Sequence, residues 1–142
     1  GVSALEAATP VLAALRELER RRNRDVDPSL AHLGIAYPLS IGVVRAGDWA
    51  STVPDLLVAE GRYGVRIGEP VERARAEFES TVAAACEGDP WLSAHPARVS
   101  WPGSAFARAI RSFIELMLST VGTDMLTMVV VTRAIGLRSL GS

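Results

Sequence analysis

Two runs of alternating apolar and polar residues lie close together in the first half of the chain, with too few residues between them for a helix. In the first, Ile35 to Arg45, the residues Ile35, Tyr37, Leu39, Ile41 and Val43 alternate onto one face of an extended strand. In the second, about Asp55 to Ile67, the residues Leu57, Ala59, Tyr63, Val65 and Ile67 fall on odd positions, and Glu60, Arg62 and Arg66 on even ones. Parallel neighbours need a crossover of roughly a dozen residues or more. The Gly47-Asp48-Trp49 turn and the Ser51–Pro54 lead-in leave room only for an antiparallel pair.

Helical periods flank this pair. From Val2 to about Arg22, Leu5, Ala8, Leu12, Leu15 and Leu18 recur at three- and four-residue steps, and Ser3 with Glu6 has the pattern of a capping box. Pro10 either kinks this helix or makes Thr9-Pro10 its true start. Asn23 to Leu33 reads as a polar connection. Gly68-Glu69-Pro70 opens a second helix with the apolar stripe Val71, Ala74, Phe78, Val82 and Ala85, closed by Gly88 and Pro90. Asp89 to Pro96 is expected to be a loop, and Ala97 to Trp101 a short strand stopped by Pro102-Gly103. Ser104 to Thr120 has helical spacing, Gly122-Thr123-Asp124 breaks it, and Thr127 to Thr132 is a β-branched run of strand character.

The order helix, strand, strand, helix, strand is one strand short of the β-α-β-β-α-β split unit, a ferredoxin-like α+β fold with two helices on one face of an antiparallel sheet. The expected first strand would precede residue 1, as in a chain that starts inside a domain. Its absence would leave a gap between two strands with unpaired backbone groups. Met128 to Thr132, reached through the Ser104–Thr120 helix, is placed to fill that gap.

Composition narrows the function classes. At 142 residues, 49% hydrophobic and with a formal charge of −1, the chain has the length of one domain and too much apolar content for disorder. All 15 basic residues are Arg, which excludes a lysine nucleophile, a Schiff-base lysine and a phosphate-loop lysine. The run Arg20-Arg21-Arg22-Asn23-Arg24 is surrounded by Glu17, Glu19, Asp25 and Asp27, so it reads as the solvated end of a helix rather than a nucleic-acid site. The most apolar window, Ser112 to Thr132, contains Glu115 and Asp124, which argues against a membrane span, and no signal peptide is visible. A soluble, cytoplasmic protein is expected.

Candidate chemistry is sparse. His32 and His95 are far apart, and neither sits in a metal-spaced cluster, so no metal or catalytic site can be assembled. The single cysteine, Cys86, reads as a small core residue. Asp48 and Ser51 suit hydrogen bonds to the local backbone of the turn, with Trp49 covering the hairpin end.

Several segments together resemble one domain. Tyr37-Pro38-Leu39-Ser40-Ile41-Gly42, Gly47-Asp48-Trp49-Ala50-Ser51-Thr52-Val53-Pro54-Asp55, Glu60-Gly61-Arg62-Tyr63-Gly64, Gly68-Glu69 and Trp91-Leu92 occur in an order similar to the dimerisation, or lid, domain of zinc-dependent deacylases and exopeptidases. That family includes acetylornithine deacetylase, succinyl-diaminopimelate desuccinylase and glutamate carboxypeptidase. The resemblance covers residues 1–103, read as an N-terminally truncated lid domain, and leaves residues 104–142 as a tail of unassigned role.

The resemblance implies a two-domain parent enzyme that hydrolyses the amide bond of N-acyl amino acids. Its catalytic domain would hold two zinc ions, while this chain, without their ligands, would hold no cofactor and be inactive alone. It further implies a homodimer through a sheet edge and a helix, with the parent's catalytic domain as the other partner. Lids of this family contribute a basic side chain to a substrate carboxylate, which points to Arg62, although the desuccinylase arginine would fall nearer Gly64. Thr52 lies where desuccinylases place an Asn that reaches the partner subunit's site. The other reading of the residues is a free-standing ferredoxin-like module that binds a small ligand or a protein through its sheet.

Overall fold

The computed structural model describes residues 2–102 and 124–134. Within them the chain is α+β: two long helices lie on one face of a four-stranded antiparallel sheet. Helix α1 spans Ala4–Arg22 and runs through Pro10 without a break, so it does not begin at Thr9-Pro10. Ser3 takes the extended conformation of an N-cap, but its side chain makes no cap bond, and the expected capping box is not formed. Instead the first turn is held from outside, by Ala4 N–H donating to the Pro54 carbonyl at 2.8 Å. The buried stripe Ala4, Ala8, Val11, Leu15 and Leu18 turns α1 onto the sheet.

The connection after α1 is more structured than its polar composition suggests. Pro28–Leu33 forms a 3-10 helix, with the Asp27 carboxylate accepting from Ser29 N–H. Gly34 follows at φ 75°, a left-handed conformation that favours glycine. The chain therefore enters strand β1 only at Leu39, and β1 runs Leu39–Ala46 rather than from Ile35. Ile35 is exposed, and Tyr37 packs in a separate small cluster with Leu30 and Ala36.

Strand β2, Leu56–Val65, pairs antiparallel with β1, as the hairpin spacing requires. The register slips between Ile41 and Val43, a bulge that the alternating pattern does not show. Leu39 and Ile41 face the helices opposite Tyr63 and Gly61, whereas beyond the bulge Val44 lies opposite Ala59 and Val43 opposite Glu60. Val43 thus leaves the face that strict alternation assigns to it. Gly61 permits the close approach: a Cβ there would run into the Ser40 carbonyl oxygen and lie 2.6 Å from Met128 Cε.

Helix α2, Val71–Glu87, buries Ala74, Phe78, Val82 and Cys86 beside α1. Pro70 precedes it as N-cap, and Gly88 ends it. The expected loop that follows contains helix α3, Pro90–Ala94, because the Asp89 carboxylate accepts from both Trp91 N–H and Leu92 N–H at 2.9 Å. This N-cap followed by Pro at the first helical position was a legible start signal. Strand β3, Arg98–Ser100, comes next.

The remaining strand, β4, spans Asp124–Arg133 and lies between β2 and β3, antiparallel to both. This is the position that Met128 to Thr132 was expected to fill. Leu126, Met128 and Val130 are buried against the helices, each side chain contributing about 1.5–3 kcal/mol of apolar transfer. Thr132 Oγ1 donates to the Ala4 carbonyl at 3.3 Å, tying β4 to the start of α1. The predicted Ser104–Thr120 helix lies outside the described residues. No helix among the described residues is long and apolar enough to cross a membrane.

Candidate functional site

The strand order β1-β2-β4-β3 places β1 at the rim of the sheet, paired with β2 alone among the described residues. Beyond Leu39, whose N–H is taken by Glu19, the β1 backbone to Ala46 meets no further strand among the described residues. The bulge distributes apolar side chains to both sides of this edge. Val44 faces the helix side and is 51% exposed, while Val43 faces the open side and is 38% exposed. On α1, Leu5 is 53% exposed and Leu12 is half-buried against Ala4, Ala8, Leu57 and Ala59. A strand edge and an apolar helix margin thus lie side by side.

The two candidate substrate contacts are not brought together. Arg62 sits on β2 opposite Ser40 and Thr127, on the sheet face away from the helices, and is exposed. Its Nη1 donates to Thr127 Oγ1 at 3.3 Å. Thr52 lies in the exposed β1–β2 loop at the other end of the hairpin, where its N–H donates to the Trp49 carbonyl at 3.1 Å. Between Arg62 and the start of β2 there are six residues, about 20 Å of extended chain. One ligand of amino-acid size cannot touch both within a single copy.

The loop itself corrects one expectation. Trp49 does not cover the hairpin end; it is 71% exposed, and Val53 is 52% exposed. Neither the Asp48 nor the Ser51 side chain makes a hydrogen bond among the described residues, and the turn is closed by main chain, with Gly47 at φ 84° supplying the reversal. Histidine chemistry is absent from this region. His32 is exposed on the 3-10 helix, and His95 ends α3 with its ring stacked on Trp91 at 3.9 Å. Cys86 is buried, its Sγ accepting from Ala97 N–H at 3.4 Å, as fits a small core residue.

The opposite end of the hairpin holds a polar cluster that sequence reasoning missed. Arg22, expected to be solvated with its neighbours, is 1% exposed. Its Nη2 donates to Glu69 Oε1 at 2.6 Å and to the Gly64 carbonyl at 2.9 Å, and its Nη1 donates to Glu77 Oε2 at 2.9 Å. The guanidinium also lies 4.6 Å from the centroid of the Tyr63 ring. Burial by itself pushes the Glu69 carboxyl up, but the hydrogen bonds from Arg22 and Arg66 N–H outweigh it and hold the group below the usual range. Burial drives the Tyr63 phenol upward. The signal for this cluster is the spacing of Arg22 after Leu15 and Leu18, which keeps it on the inward face of α1.

Glu19 and Asn23 complete the corner. Glu19 Oε2 accepts from Leu39 N–H at 2.7 Å, and Asn23 bonds both the N–H and the carbonyl of Tyr37 at 2.9 Å. These contacts position the start of β1, so the corner is a brace, although Arg22 Nε and Tyr63 Oη are buried there without a hydrogen-bond partner among the described residues. Among the described residues there is no group of three or more His, Cys, Asp and Glu able to hold a metal ion. No family model, curated protein or solved structure matches the chain.

Proposed function

We propose that the chain is the dimerisation and lid module of a zinc-dependent metallohydrolase that cleaves the amide bond of N-acyl amino acids. The observation that carries this reading is the open β1 edge, with exposed Val43 and Val44 beside the α1 margin of Leu5 and Leu12. An unpaired edge bearing apolar side chains is a template for a second strand. Two copies related by a two-fold axis would pair β1 with β1 and set α1 beside α1, giving one sheet across the dimer.

A ferredoxin-like arrangement is supported by the strand order and by both long helices lying on one face. In that arrangement β4 takes the central place that such a unit gives to the strand ahead of its first helix. The parent's zinc supplies a hydroxide nucleophile at neutral pH. The contribution of this chain is to exclude water and, through the exposed Arg62, to orient a substrate carboxylate.

Light scattering after size exclusion tests the association, with twice the 15.1 kDa chain mass expected and Val44→Glu reducing it to one. A monomer at all concentrations rejects dimerisation. The purified chain with added zinc is expected to leave N-acetyl amino acids intact. Coding sequence on either side of this segment is expected to carry His, Asp and Glu ligand motifs; unrelated neighbours would favour the free-standing interaction module, a reading that the outer face of the sheet, on which no described element packs, also supports.

A further inference from the structure

The face of the sheet turned away from the helices is organised in rows that cross all the strands. Arg45 pairs with Val58, Val58 with Val131, and Val131 with Arg98, so one row reads Arg-Val-Val-Arg from edge to edge. The next row is Val43, Glu60, Val129 and Ser100. None of these side chains is buried, and among the described residues no element packs on them. Arg62 and Arg133 flank the rows, so among the described residues the face carries four arginines against Glu60, in a chain whose formal charge is −1. Glu60 is only loosely engaged, 3.8 Å from Arg45.

We infer that this face binds an acidic, apolar-centred protein segment, with its aliphatic side chains on Val58, Val129 and Val131 and its carboxylates on Arg45 and Arg98. The outer arginines of the row stand three strand spacings apart, about 14 Å. In an extended segment, side chains two residues apart share a face at ~6.8 Å, so carboxylates four residues apart with a leucine between them match the row. Guanidinium groups favour such carboxylates through paired, charge-assisted bonds. A nucleic acid fits less well, because none of the residues named on this face is aromatic and single strands are held largely by stacking. The inference does not depend on the chain being a lid or a dimer.

The test uses the full chain and a fluorescein-labelled peptide built from two Glu-Ser-Leu-Ser-Glu repeats. Anisotropy is expected to show saturable binding that weakens with salt, and ¹H–¹⁵N shifts are expected to concentrate at residues 43–45, 58–62, 98–100 and 127–133. Replacing the peptide's Glu by Gln, or its Leu by Ser, should each weaken binding by about tenfold, and so should the double variant Arg45→Gln/Arg98→Gln. Circular dichroism of that variant should be unchanged, since both side chains are exposed. Equal binding of the Gln peptide, shifts confined to another surface, or tighter binding to single-stranded RNA or to phosphatidylserine vesicles than to the Glu peptide would each overturn the inference.

Discussion

The two ends of the β1–β2 hairpin are built from the same two strands yet held in different ways. At the end near Leu39 and Tyr63, main-chain groups are clamped by Glu19, Asn23 and Arg22, and the aromatic rings of Tyr63, Phe78 and Trp101 pack in tilted and edge-on pairs with centroids 5.1–6.1 Å apart. At the end near Ala46 and Leu56, a nine-residue loop exposes Trp49 and Val53, and the edge exposes Val43 and Val44. Side-chain bonding is spent where the helices meet the sheet, and apolar surface is left where the sheet meets its surroundings. A small domain can thus fix its fold at one corner and keep another free for association.

The contrast predicts a steep asymmetry in mutational cost. Arg22→Ala should be the most damaging substitution, at about 3–5 kcal/mol, because it removes the guanidinium that bonds Glu69, Glu77 and the Gly64 carbonyl and leaves Glu69 only the Arg66 side chain, 3.9 Å away, as counter-charge. Urea denaturation measures it, and a loss under 1 kcal/mol would mean that the corner is not the brace. Next, Gly61→Ala should cost about 1–3 kcal/mol by forcing β1 away from β2, since the new Cβ meets the Ser40 carbonyl and Met128. Wild-type stability at the clamped end should also depend on acid. Glu69 has a folded pKa below its unfolded one, so its contribution is complete above the unfolded value near 4.5 and is lost as pH falls through the folded value. Glu69→Gln should flatten that limb of the stability–pH curve; an unchanged slope would remove Glu69 as its source. At the loose end, Trp49→Ser should change monomer stability by no more than about 0.5 kcal/mol. A larger loss in thermal or urea unfolding would erase the distinction between the ends.

Much of this arrangement is legible in the sequence where one periodicity dominates. The stripes of α1 and α2, the hairpin and the strand at Arg98–Ser100 follow from spacing, and the β-branched run at 127–132 announces a strand. The misses occur where a local or tertiary contact overrides the pattern. Ile35 continues the alternation, but Gly34 turns the chain and the Tyr37 main chain is bonded to Asn23, so β2 is first met at the Pro38 carbonyl and the strand begins at Leu39. Gly42 looks like an ordinary strand position and is instead where the register slips, a decision made across the sheet at Gly61. Arg22 sits in a run of four arginines whose other members are exposed to different degrees, and its partners Glu69 and Glu77 lie 47 and 55 residues away. The candidate contacts fared alike: Arg62 and Thr52 both lie on accessible surface, but separation along the hairpin was invisible without the register.

The placement of β4 has a consequence for how the protein is made. Its partners on β2 are 59 to 77 residues earlier in the chain, so its pairing is among the most distant in sequence. Contacts of this kind form slowly, and a ribosome adds only about 5–20 residues per second. During that interval β2 and β3 wait with facing edges vacant, and the helices have no central strand to rest on. A nascent chain halted before Asp124 should therefore be the species that chaperones capture, and its release should coincide with the arrival of β4.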